Sequence, residues 1–160
     1  MNIILARPAG VRLHGRLSSN VRRHQVHHDL TLIADLCSEL SIQSHLLDDS
    51  LHVTLQPSIV LTFKNYVENG SPECLIAFEG TAWHAHGDLI DLSTSEYEAK
   101  VNGLDVITGL SDGALMLREL WSGEHLVDRW LVHRNWHEDG ARYLSAGEDI
   151  RLRRLNLLPK

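Results

Sequence analysis

The sequence predicts an α+β fold dominated by antiparallel β-sheet, with two helices at about residues 29–47 and 95–109. Helical spacing of apolar residues occurs in only those two stretches. Elsewhere apolar and polar residues alternate in twos, and Asn69-Gly70, Asp112-Gly113, Ser122-Gly123 and Asp139-Gly140 punctuate the alternating runs. The regular exchange of strand and helix that builds a parallel sheet is missing. A length of 160 residues suits one domain, and 43% hydrophobic with 22% charged residues is a globular composition that excludes rods and wholesale disorder.

Residues 1–28 contain Arg7, Arg12, Arg16, Arg22 and Arg23 and no acid, whereas residues 29–160 carry all twenty-one acids. The first segment, broken by Pro8, Gly10 and Gly15, reads as a basic arm that folds back on the acidic body or stays disordered, and residues 29–160 read as a single α+β domain. The spaced Pro and Gly disfavour an amphipathic leader helix, and no apolar run approaches the roughly 20 residues of a membrane span.

From Asp29, a suitable N-cap, the residues Leu30, Ile33, Ala34, Cys37, Leu40, Ser44 and Leu47 fall on one helical stripe, ending before Asp48-Asp49. The period then changes. Leu51, Val53 and Leu55 alternate with His52, Thr54 and Gln56 in one strand, and Pro57-Ser58 leads to a second over Ile59–Lys64. Asn69-Gly70-Ser71-Pro72 is a turn before a buried strand at Cys74–Phe78, followed past Gly80 by a strand from Thr81 to His86. Thr94 or Ser95 is the expected cap of the second helix, through Val101, Leu104 and Ile107, with Asn102-Gly103 weakening its middle. Ala114–Trp121 and Glu124–Val132 form a hairpin joined by Ser122-Gly123, with Trp121 facing Glu124, Leu120 facing His125, Arg118 facing Val127 and Leu115 facing Trp130. That register mixes aromatic, apolar and charged residues on both faces, leaving apolar surface for a partner or a second copy. Alternation over Ile150–Leu155 favours a last strand over a helix.

Within Gly80-Thr81-Ala82-Trp83-His84-Ala85-His86-Gly87-Asp88, a strand points His84 and His86 to one side, at a spacing two ligands of one metal ion require. This Gly-preceded His-x-His strand resembles the first motif of cupins over about ten residues. The resemblance implies a divalent-metal enzyme in which His84 and His86 are ligands, with Asp88 or Asp91 where cupins place a Glu. Gly80 lies closer to the histidines than in that motif, and no Pro-x-Gly followed by a ligand histidine appears downstream. The alternative is that Trp83 and Ala85 face the core while both histidines decorate a wet sheet face. His133 and His137 have the spacing of two ligands on a helix, but Arg134–Gly140 reads as a loop. No phosphate-binding loop, dinucleotide fingerprint or nucleophile elbow is present.

Eleven histidines are the compositional oddity, and their full protonation would carry the formal charge of −6 to +5. Cys37 and Cys74 form no metal-binding pair and read as reduced core residues, which suits the cytoplasm. Acidity disfavours general nucleic-acid or anionic-membrane binding and favours a basic protein partner. The leading expectation is therefore a non-enzymatic binding protein of the adaptor or immunity kind, needing no cofactor. Trp136 and Trp121 are its expected anchors, and Arg22 and Arg23 are candidate contacts in the arm. The competing expectation is the cupin-like metal enzyme using His84, His86 and Asp88.

Overall fold

The computed structural model describes residues 27–94, 97–136, 144–155 and 157. They form an α+β fold in which antiparallel sheet dominates, with two helices and ten strands among them. The basic residues Arg22 and Arg23 lie outside the described residues, as does His137.

Helix α1 spans Leu30–Glu39, and the Asp29 side chain caps it by accepting from the Leu32 N–H at 3.0 Å. Leu30, Ile33 and Cys37 form its buried stripe. The helix is shorter than the sequence predicts. Ser41 takes a left-handed φ of 57°, Ser41 N–H donates to Ser38 O, and Ile42 N–H donates to Cys37 O at 2.8 Å. This pair of bonds is a Schellman ending, with Ser in the position where glycine usually marks the stop. Ile42 is thereby tucked into the core, and Gln43–Leu46 leave the predicted helix to form strand β1.

Strands β2 (Ser50–Gln56), β3 (Ile59–Glu68), β4 (Ser71–Phe78) and β5 (His84–His86) continue from β1 as one five-stranded antiparallel meander. Asn69 and Gly70 both have positive φ, 50° and 80°, as a two-residue hairpin between right-twisted strands requires. The strand expected from Thr81 is confined to His84–His86, because Glu79–Ala82 turn the chain around Gly80. Leu51, Val53, Leu61, Phe63, Ile76 and Phe78 line the inner face and are buried.

The short pair β6 (Ile90–Asp91) and β7 (Lys100–Val101) leads to helix α2, Gly103–Asp112. The second helix therefore begins later than the sequence predicts. Asn102, expected in its middle, is its N-cap: its Oδ1 accepts from Leu104 N–H and Asp105 N–H, and Asp105 Oδ2 accepts from Asn102 N–H at 3.0 Å. This reciprocal capping box starts the helix well after the expected Thr94 cap, and Ser95, the other expected cap, lies outside the described residues. Gly103 packs closely on α1, since a Cβ there would lie 2.5 Å from Cδ1 of Ile33 and force that side chain to shift. Val106, Ile107 and Leu110 face the same core as α1.

Strands β8 (Leu115–Ser122), β9 (His125–His133) and β10 (Glu148–Arg153) form a second antiparallel sheet in the order β10-β8-β9. The expected hairpin register is wrong. Ser122 pairs with His125, so Gly123-Glu124 is the connection, and a bulge between Leu120 and Trp121 brings Arg118 opposite Trp130 and Glu119 opposite Arg129. Gly123 has φ 60°, the conformation that makes it a better first loop residue than Ser122. Leu115, Leu117 and Leu131 join the main core, so both sheets and both helices share it.

Candidate partner-binding surface

In β8 the odd-numbered residues Leu115, Leu117 and Glu119 are buried while Met116, Arg118 and Leu120 are half-buried, so the sheet has an inner and an outer face. The inner face holds a buried ion pair. Arg129 donates from Nε at 2.8 Å and from Nη2 at 2.7 Å to Glu119 Oε1, and both residues are under 5% exposed. Trp121 Nε1 donates to Glu119 Oε2 at 3.1 Å, and Arg153 approaches Oε1 at 3.7 Å while donating to Gln56 Oε1. Thus Glu119 ties all three strands and, through Gln56, the larger sheet. A shift of β9 by one residue would turn Arg129 to the other face and leave Glu119 buried without this partner.

Directly across the sheet lies the outer row Leu152, Arg118 and Trp130. The Arg118 guanidinium sits 4.6 Å from the Trp130 ring centroid and 4.3 Å from that of Trp136, which follows β9. Leu152 is 49% exposed next to it, and Leu120 and Ile150 occupy the neighbouring row half-buried. The cation holds both rings in place through their electron-rich faces. Trp121 belongs to the opposite face, where Arg151 lies 4.6 Å over its ring and is itself gripped by Asp149. The two expected anchors are therefore both half-buried and are not on one face. Trp130, not among the expected anchors, is the second aromatic ring against Arg118.

The histidines sort by sheet face. His45, His52 and His84 share a cross-strand row on the outer face of the five-stranded sheet, and His86 lies in the next row. His84 and His86 are exposed with ring centroids 5.0 Å apart, whereas Ala85 and Trp83 pack against the core. Asp88 does not join them in any hydrogen bond or ion pair; its charge instead acts on His28 and Cys74. The Ser93 hydroxyl, and after it the Ser93 N–H at 2.9 Å, hydrogen-bond to Asp91 and hold its carboxyl below the usual range. Among the described residues no three His, Cys, Asp or Glu side chains gather to hold a metal ion.

His52 shows an arrangement not visible in the sequence. Its Nδ1 lies 2.6 Å from Glu79 Oε1, and its Nε2 lies 3.4 Å from Ser50 Oγ. The order hydroxyl, imidazole, carboxylate is that of an acyl-transfer relay. Ser50, however, is only 6% exposed, which shields its oxygen from a substrate carbonyl, and Thr62 also donates to Glu79. The network fastens β2 and β3 to the end of β4.

His133 ends β9 as a strand residue, stacked on Tyr97 with centroids 4.2 Å apart, so the helical spacing to His137 does not apply to it. Burial and the Arg134 charge lower its pKa. His28 is buried; its Nε2–H donates to Leu75 O at 3.1 Å, while its backbone exchanges two hydrogen bonds with the Asn65 side chain. Burial lowers the His28 pKa, outweighing the Leu75 carbonyl and the Asp88 charge. Both thiols are free and buried, and burial pushes each up to about 11, so neither is a nucleophile at neutral pH.

The lowered pKa of His28 gives a pH dependence of definite sign. Below the ordinary value of 6.5 the unfolded chain takes up the proton more readily than the folded one, so stability present above 6.5 is lost as pH falls through the folded value. Urea midpoints should therefore decline from pH 7.5 to pH 5, and His28→Gln, which keeps a donor for Leu75 O, should flatten that decline. Equal midpoints across the range for the wild-type protein would contradict this role.

No helix among the described residues is long and apolar enough to cross a membrane. Comparison with known protein families, characterised proteins and solved structures found no match.

Proposed function

We propose that this protein works by binding a protein partner, as adaptors and immunity proteins do, through the outer face of the β10-β8-β9 sheet. The observation that carries the reading is the Arg118 guanidinium in contact with the rings of both Trp130 and Trp136 on a face turned away from the core. Trp and Arg dominate the energetics of protein interfaces because they bury large areas with little conformational freedom to lose. Here the rings are already fixed before a partner arrives, and exposed Leu152 extends the apolar area beside them. The acidic excess of residues 29–160 suits a partner with a basic surface, and that steering weakens as salt rises. Buried reduced thiols suit a reducing compartment such as the cytoplasm.

The experiment is affinity capture with the full chain, comparing the wild type with Trp130→Ala and Trp136→Ala, each checked for folding by circular dichroism. A partner of this face should bind either variant at least tenfold more weakly, since a hot-spot tryptophan contributes about 2 kcal/mol or more. Its capture should also fall as salt is raised. Folded variants that retain every specific partner at wild-type affinity would refute the assignment of this face.

A further inference from the structure

The geometry points to a second, independent site: His84 and His86 form a solvent-open chelate for a borderline divalent transition-metal ion of the zinc type. Both histidines lie on β5, an edge strand of the five-stranded sheet, and project from its outer face. Two imidazoles bound to one ion at about 2.1 Å, with an angle of about 90° to 110° between the bonds, have ring centroids roughly 4.6 to 5.3 Å apart. The observed separation is 5.0 Å with the rings 79° from parallel. The observed separation falls within that range.

Hydrogen bonding at the other ring nitrogens prepares the same result. His84 Nδ1 lies 3.0 Å from Ala82 O, and because a carbonyl only accepts, Nδ1 carries the hydrogen and Nε2 keeps its lone pair. His86 Nδ1 lies 3.1 Å from the Tyr66 hydroxyl oxygen, which accepts from Nδ1–H in the tautomer whose Nε2 is free for the metal. Backbone carbonyls and hydroxyls in these positions orient ligand imidazoles and strengthen their donor character. Asp88 has no part in the site. With two protein donors, the other coordination positions belong to water, and imidazole nitrogen selects zinc, copper or nickel over calcium or magnesium.

Calorimetric titration of the untagged full chain with zinc chloride tests the site. The wild type should bind zinc, and His84→Ala and His86→Ala should each weaken that binding by tenfold or more. His45→Ala, on the far edge of the same face, should leave it unchanged. Tyr66→Phe removes an orienting partner, not a ligand, and should weaken binding by up to about tenfold. Both ligand positions are exposed, so the variants are expected to fold, and circular dichroism verifies this. Absence of zinc binding by the wild type, or wild-type binding by the His84→Ala/His86→Ala double variant, would overturn the proposal.

Discussion

Replacing Glu119 with alanine should lower the unfolding free energy by about 3–5 kcal/mol, a large fraction of the stability of a domain this size. The reason is the partner left behind. Arg129 is 4% exposed and gives two hydrogen bonds to Glu119 Oε1, so its guanidinium would remain in a dry site without a counter-charge. The same logic makes the pair replaceable as a unit. Glu119→Leu with Arg129→Met should lie much closer to wild type than Glu119→Ala, because two apolar side chains of similar length need no such compensation. Urea unfolding of the three proteins measures this, and a Glu119→Ala protein within 1 kcal/mol of wild type would show that water relieves the stranded charge.

Phe63→Ala should have an effect of comparable size, about 3–5 kcal/mol, by a different mechanism. Phe63 is fully buried at the middle of β3, between Leu51 and Ile76 on the neighbouring strands. The His28 ring meets it edge-on with centroids 5.3 Å apart, and a Cβ on Gly103 would stand 3.1 Å from its Cε1. Strand, helix start and the anchored His28 thus all close on one ring, and a backbone held at Gly103 and Asn65 has little room to collapse into the void. Thermal unfolding with an unchanged midpoint would show that the cavity does fill.

The fold class was legible because alternation and turn residues report which side of a strand is dry. The turn at Asn69-Gly70 is the clearest case, since both residues take positive φ, although β3 and β4 run up to it at Glu68 and Ser71, beyond the expected strand ends. The helix boundaries were not legible for local reasons. Leu40, Ser44 and Leu47 continue the stripe of α1, and only the left-handed Ser41, a residue type that gives no warning, ends it. In α2 the Asn102-Gly103 pair reads as a breaker but acts as a cap once Asp105 returns its hydrogen bond.

The candidate surface was only partly legible. Trp136 could be picked out because it follows a strand, but its association with Arg118 and Trp130 depends on a bulge that shifts the pairing of β8 with β9. Without that bulge Arg118 would face Arg129 in place of Trp130. The Glu119–Arg129 pair was hidden for the same reason. The paired exposure of His84 and His86, by contrast, follows from strand alternation alone, whereas the bonds that orient their rings come from Ala82 and from Tyr66 on a strand not adjacent to β5.

Both helices pack on the inner side of the five-stranded meander, whereas His45 and His84 stand exposed on its other side. Mutational tolerance should follow this sidedness. Hydrophobic positions facing the helices are fixed by volume, while positions such as His45 and His84 can change identity with little effect on folding. Evolution can therefore redraw the chemistry of that open side, its charge and its affinity for ions, without reopening the question of how the chain folds.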